Sequence, residues 1–182
     1  MGEGELELIQ QALQGDIDAW GEIVRRYKDA VFGIALGIVG NPPDAEDAAQ
    51  DAFIRAYENL RRYDLGRKFS TWIFTITANI CKNKLRRERF FAPLKNPARL
   101  VGAGDPAEEV ARDERQALMQ EALRTLGEKY REPLVLYYYG DLEYKDIAQA
   151  LGVPEGTVKT RIHRAKLALK EWLEVRGGKG NA

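Results

Sequence analysis

Apolar residues recur along most of this chain at three- and four-residue spacing, and they never alternate with polar ones over the length of a strand. The pattern predicts an all-α protein. Leu6 to Leu13 forms a short helical repeat ended near Gly15. Asp16 is placed to cap a longer helix whose apolar face is Trp20, Ile23, Val24, Tyr27, Val31, Ile34, Ala35 and Ile38, running to Gly40 and Asn41. Pro42 and Pro43 break it and Asp44 opens the next. There Ala45, Ala48, Ala49, Ala52, Phe53, Tyr57 and Leu60 make an alanine-rich side suited to close packing, and Glu46, Asp47, Gln50, Asp51 and Arg55 hold the opposite face. Arg61 to Lys68 reads as a loop. A further helix follows, capped by Ser70, with Trp72, Ile73, Ile76 and Ile80 inward and Asn79, Asn83 and Arg86 aligned at i, i+4 and i+7.

Phe91 to Pro106 carries three prolines, two glycines and no helical period, so it reads as a linker. It predicts two small helical domains joined by a flexible linker: residues 1–90, a linker over 91–110, a second domain over 111–176, and a disordered glycine-rich tail over 177–182. In the second domain Leu118, Ala122, Leu123 and Leu126 pack one helix, and Pro133 to Tyr139 forms another. Tyr137, Tyr138 and Tyr139 are expected to serve as core and helix-packing residues.

Tyr144 to Lys170 has the spacing of a helix-turn-helix. Tyr144, Ile147, Ala148 and Leu151 share one helix face, and Gly152 stands where a helix end tolerates positive φ. Pro154 suits the first turn of a new helix, in which Val158, Ile162, Ala165, Leu169 and Trp172 form a second stripe. A small residue at the helix contact (Ala148), a glycine in the turn and a branched plug (Val158) give the motif its geometry. From Gly156 to Lys170 the chain has five cations and no acid. A basic helix that fits a DNA major groove can donate to guanine O6 and N7 and neutralise phosphates.

Charge alters the picture more than composition does. The 182 residues carry 28 cations and 28 anions, yet residues 1–60 sum to −8, residues 61–95 to +8, residues 96–142 to −3 and residues 143–182 to +3. Two separated basic zones point to two nucleic-acid contacts, and the acidic surface to a protein partner. One cysteine, Cys81, excludes an internal disulfide and a Cys-rich zinc site, and one histidine, His163, has no second histidine to join it at a metal. No metal or cofactor is expected. No apolar run reaches the roughly 18–20 residues of a membrane span, and the acidic N-terminus is unlike a signal peptide, so the expected location is the cytoplasm.

With both basic zones in view, the chain resembles an extracytoplasmic-function (ECF) sigma factor of the sigma-70 family, group 4, of the envelope-stress type. The residues that carry the resemblance are DAEDAAQDAFIRAY (44–57), RKFSTWIFTITANICKNKLRR (67–87) and GTVKTRIHRAK (156–166), in that order. The resemblance implies a non-enzymatic initiation factor that binds core RNA polymerase through the coiled coil of the largest subunit and the flap of the second-largest. It implies polymerase contacts at Asp47, Gln50, Asp51 and Arg55. For the promoter −10 element it implies Arg61, Arg62, Arg67, Lys68, Phe69, Asn79, Asn83, Lys84, Arg86 and Arg87. For the −35 element it implies Thr157, Lys159, Thr160, Arg161, His163, Arg164 and Lys166, with Lys159, Thr160, His163 and Arg164 on base edges and Arg161 on the backbone. Strand opening fits such a protein, since an unstacked base costs a few kcal/mol and must be captured. An anti-sigma factor, membrane-bound or soluble, is the expected regulator, and no stable homo-oligomer is expected.

The alternative is a stand-alone helix-turn-helix repressor or activator. That would need a dimer interface for two half-sites, or a ligand domain, and the sequence offers neither a heptad seam nor such a domain. A nuclease or recombinase lacks its metal cluster, paired carboxylates or nucleophile motif. An adaptor using the acidic helix alone leaves both basic zones without a role.

Overall fold

The computed structural model describes residues 3–91 and 108–177; the side chains of 3, 89–91, 108–116 and 177 are outside the description. All regular structure among these residues is helical: α1 (Glu3–Leu13), α2 (Ile17–Val39), α3 (Pro42–Glu58), a 3-10 turn (Leu60–Arg62), α4 (Phe69–Phe91), α5 (Glu108–Thr125), α6 (Glu128–Tyr139), α7 (Tyr144–Leu151) and α8 (Glu155–Gly177). The 91–110 linker and the tail beyond Gly177 lie mostly or wholly outside the described residues.

The first bundle is built on α2. Asp16 accepts from the amides of Asp18 and Ala19, and Gly40, at φ 84°, closes the helix in the left-handed conformation. Ile23, Val31, Ile34 and Ile38 are buried from α2, and Ala45, Ala48, Ala52 and Ala56 from α3. Methyl-sized contacts let α3 lie close against α2 and α4. The cap of α3 differs from the sequence expectation. Asn41 is the N-cap, its side chain accepting from Asp44 N, and Pro42 and Pro43 occupy the first turn, where a missing N–H costs nothing. Ser70 is likewise inside α4, which starts at Phe69.

The second bundle comprises α5 to α8. Its helix α6 begins at Glu128, five residues earlier than the sequence pattern gave, with Pro133 inside it. Leu118 is exposed, while Ala122, Leu123 and Leu126 are buried. Tyr138 is 61 % exposed, contrary to the core role expected of it. The helix-turn-helix is as the spacing required: α7 stops at Gly152 (φ 65°), Val153 N bonds to Ala148 O, and Val158, Ile162 and Ala165 are buried from α8. Pro154 precedes α8 as its cap, its carbonyl accepting from Thr157 and Val158.

The two bundles share one apolar core. α6 packs along α2 and α7 against α4, so that Val135 and Leu136 join the cluster holding Ile34, Ile38 and Phe74. Polar contacts cross the same boundary. Arg124 donates to the carbonyl of Gly40, Lys82 pairs with Glu132 at 3.6 Å, and Lys68 reaches Glu143 and Asp146.

Candidate nucleic-acid interface

Three surfaces carry the residues singled out by sequence. On α3, Asp47, Gln50, Asp51 and Arg55 are all exposed, one or two turns apart, and Ile54, 56 % exposed, lies among them. The face is acidic with an apolar centre. Beside it Trp20, Phe53 and Tyr57 form an aromatic cluster, with Trp20 and Tyr57 ring centres 5.2 Å apart.

The basic surface of the first bundle is assembled from the segment after α3 and from α4. Arg61, Arg62, Arg67, Asn79, Asn83, Arg86 and Arg87 are exposed, and the asparagines lie one turn apart on α4. Arg86 donates to Asn83 Oδ1 at 3.3 Å. Three other candidates are engaged elsewhere. Phe69 has no exposed surface: it is enclosed by Tyr27, Tyr63 and Trp72, with ring centres 5.3–5.5 Å away, so its place is in the core and not against a base. Burial raises the Tyr63 phenol to about 12, and its hydroxyl donates to the carbonyl of Arg67, which ties the loop down. Lys84 reaches back to α3, 2.6 Å from Asp44 and 3.2 Å from Asp47. Burial opposes its charge, but the bonds to Asp44 and Asp47 outweigh that and raise its pKa. Lys68 is bound to Asp146 at 2.9 Å and Glu143 at 3.1 Å, and those bonds, Asp146 first, raise it too. Both lysines are neutralised by the protein's own carboxylates.

On α8 Thr160, His163 and Arg164 are exposed at the centre, with exposed Lys159 and Lys166 to one side and half-buried Thr157 and Arg161 to the other. Here the cations rest mainly on aromatic groups. Lys166 Nζ stands 5.0 Å and 5.2 Å from the ring centres of Tyr137 and Tyr138, and Lys159 5.9 Å from that of Tyr144, with an added pair to Glu155 at 2.9 Å. The neighbouring Arg164 guanidinium is the chief cause of the lowered Tyr130 pKa. Lys129, Tyr130, Thr157, Thr160, Arg161 and Arg164 line one cleft between the start of α6 and the start of α8. Such a cleft, two guanidinium groups and an ammonium beside a helix N-terminus, has the chemistry of a phosphate seat.

Sequence reasoning missed Lys129 and Tyr130 because it began α6 at Pro133. The EKYRE run before that proline was the available signal. It also missed Glu143 and Asp146 as partners of Lys68, which no local pattern reveals across 75 residues or more.

The arrangement defines a helical protein with a helix-turn-helix and a second, separate basic surface beside an exposed acidic helix. Sigma-70 region 2 matches residues 23–91 and sigma-70 region 4 matches residues 116–169. The chain is 37% identical to the ECF RNA polymerase sigma factor SigW of Bacillus subtilis, over 91% of this chain and 94% of that protein. It is 30% identical to the RNA polymerase sigma-H factor of Pseudomonas aeruginosa, covering 94% of this chain and 95% of that one. Among solved structures, CnrH in complex with the cytosolic domain of CnrY superposes with a TM-score of 0.76 at 25% identity, over 95% of this chain and 99% of that chain. The sigma factor RpoE of Bartonella quintana, in complex with the anti-sigma factor NepR, gives 0.72 at 27% identity, over 85% and 96%. The chain belongs to the ECF RNA polymerase sigma factors. The first bundle is its region 2 and the second its region 4.

Proposed function

We propose that this protein binds core RNA polymerase through the α3 face, captures the −10 element on the basic surface of region 2, and reads the −35 element with α8. Its work is recognition and strand opening; it supplies no chemistry of its own. The observation that carries this reading is that the acidic α3 face, the Asn79–Asn83–Arg86 row and the centre of α8 are all exposed on one chain of this family. Asp47, Gln50, Asp51 and Arg55 dock polymerase. Arg61, Arg62, Arg67, Asn79, Asn83, Arg86 and Arg87 hold promoter DNA at −10, joined by Lys68 and Lys84 when their carboxylate partners release them. Thr160, His163, Arg164 and Lys159 face base edges at −35, with Thr157, Arg161 and Lys166 at the flanks.

The protein acts in the cytoplasm, where polymerase is, and no described helix is long and apolar enough to cross a membrane. The apolar groove of region 4, lined by Met119, Leu123, Leu134, Tyr138, Leu169 and Leu173, suits a partner helix such as the polymerase flap. An anti-sigma protein is the expected regulator, since the similar RpoE of Bartonella quintana is held by one, and the resemblance to envelope-stress factors suggests the signal. Run-off transcription with core polymerase on a genomic promoter library tests the reading. New, protein-dependent start sites are expected. None appearing, with tight sequence-specific binding by the protein alone, would make it a stand-alone regulator.

A further inference from the structure

We propose that Tyr138 links the apolar groove of region 4 to its DNA-facing side, so that a helix seated in the groove tightens the hold of Lys166 on −35 DNA. The inference rests on the sigma-factor reading above, which gives the groove to the polymerase flap and the flank of α8 to the −35 element. Its first support is the exposure of one side chain. Tyr138 is 61 % exposed, whereas the preceding Tyr137 is half-buried against the core. A charged residue on that side of α6 would be ordinary; a large ring left in water needs a reason.

The second support is an unbroken row of rings. Tyr138 meets Tyr137 edge-on, with centres 5.2 Å apart and planes at 88°, and Tyr137 stacks on Tyr144 at 5.4 Å and 26°. The row runs from the groove across the end of α6 to the first residue of α7. Two lysines of α8, seven residues and so two turns apart, ride on it. Lys166 Nζ lies 5.0 Å from the Tyr137 centre and 5.2 Å from the Tyr138 centre, and Lys159 Nζ lies 5.9 Å from that of Tyr144. Lys159 is divided between its ring and Glu155, at 2.9 Å. Lys166 is held by two rings, and Tyr138 is the chief cause of its raised pKa.

The third support is a shared wall. Tyr138 and Lys166 both line the groove, together with Leu134, Leu169 and Leu173. A lysine has a long flexible stem, which DNA must order before a phosphate contact forms. A helix packed on Tyr138 holds the ring still and the ring holds the ammonium, so part of that ordering is complete before DNA arrives. Linkage makes the effect mutual: DNA must strengthen the groove contact by the same factor. If Tyr138 were a groove wall and nothing more, there would be no such factor.

The test uses the full-length protein, a synthetic peptide of the flap helix from the same organism's polymerase, and a duplex of about 20 base pairs selected by the protein from a random pool. A duplex that short cannot also hold a −10 element at promoter spacing, so the placement of region 4 relative to region 2 plays no part. By fluorescence anisotropy, saturating peptide should tighten duplex binding by wild type about three- to tenfold, and saturating duplex should tighten peptide binding equally. Tyr138→Phe keeps a ring beside Lys166 and should keep the factor to within about twofold. Tyr138→Leu keeps an apolar wall without a π face. Its factor should fall to about one with the salt slope unchanged, because Lys166 keeps its charge. Lys166→Gln should lose the factor and also lower the slope by about one. Independent binding of peptide and duplex by wild type, or Tyr138→Leu behaving as Tyr138→Phe does, would overturn the proposal. Run-off transcription with core polymerase is measured on the same preparations. Start sites from wild type without coupling would remove the Tyr138 link and leave the sigma-factor role standing; coupling without start sites would do the reverse.

Discussion

The two basic surfaces of this protein keep their cations in different ways. In region 2, Lys68, Lys84 and Lys82 are paired with carboxylates, and Arg67 with Asp64 at 3.2 Å. In region 4, Arg164 and Lys166 lie beside tyrosines, which orient a cation without cancelling its charge, and Lys159 pairs with Glu155 at 2.9 Å. A carboxylate partner must be displaced before a phosphate can take its place, whereas a tyrosine can stay. Under the proposed function region 4 therefore has fewer acids to displace, chiefly Glu155 at Lys159. Region 2 gains further donors only when something else takes its acids, and Asp47, shared between the Lys84 pair and the proposed polymerase-docking face, is positioned for that exchange.

The largest effect expected from breaking this comparison is at Phe69. If it is a core residue, Phe69→Ala should cost about 3–5 kcal/mol of stability in a chemical denaturation, by the usual price of deleting a buried aromatic. Loss of −10 binding with stability intact would return it to the DNA surface. Next comes Asp47→Arg with Asp51→Arg. If α3 meets basic residues of polymerase, like charges brought together should weaken capture of core enzyme by about 3 kcal/mol or more, measured in a pull-down titration. The same change deprives Lys84 of one partner, so binding of single-stranded DNA by the free protein should rise slightly. Unchanged capture of core would remove α3 as the docking face.

How much of this was legible in sequence depended on whether the signal was local. The helices, the Asp16 cap, the Gly40 and Gly152 stops and the Val158 plug are set by residues within a turn or two of one another, and the sequence shows them. Two prolines after Asn41 read as a break and hide its role as a cap, although the first turn is where proline costs least. Phe69 is adjacent to a basic loop, and nothing nearby shows that Tyr27, more than forty residues earlier, closes over it. The assignment of Lys68 and Lys84 to DNA rested on their charge, and charge does not reveal an acid brought close by the fold. The α6 seat on α2 was likewise invisible. Gly33 and Gly37 look like tolerated interior glycines until the side chains of Val135 and Tyr139 are seen above them.

On the region 4 side, the proposed function gives base reading to Arg164 and backbone holding to Arg161. Arg164→Ala should cost about 1–3 kcal/mol at a matched −35 site and relax preference there, while Arg161→Ala should weaken matched and scrambled sites alike and lower the salt slope by about one. Titrations of holoenzyme on the two DNA sequences, at several salt concentrations, measure both. Equal losses on matched and scrambled DNA for Arg164→Ala would make it a phosphate contact like Arg161 and not a reader of bases.

The smallest expected effect sharpens the comparison most. Tyr130→Phe keeps the ring against Lys129, whose Nζ is 4.9 Å from its centre, and removes only the hydroxyl on which the Arg164 guanidinium acts. A neutral hydrogen-bond partner contributes modestly, so discrimination between matched and mismatched −35 sites should fall about two- to fivefold, with the melting curve unmoved. The salt slope should also stay the same, because the arginine keeps its full charge whether or not it is oriented. Truncating a carboxylate partner in region 2 predicts the opposite signature, a rise in DNA affinity that weakens with salt. If Tyr130→Phe raised affinity instead, the tyrosine would be restraining Arg164 as the acids restrain Lys68. The two surfaces would then obey one rule.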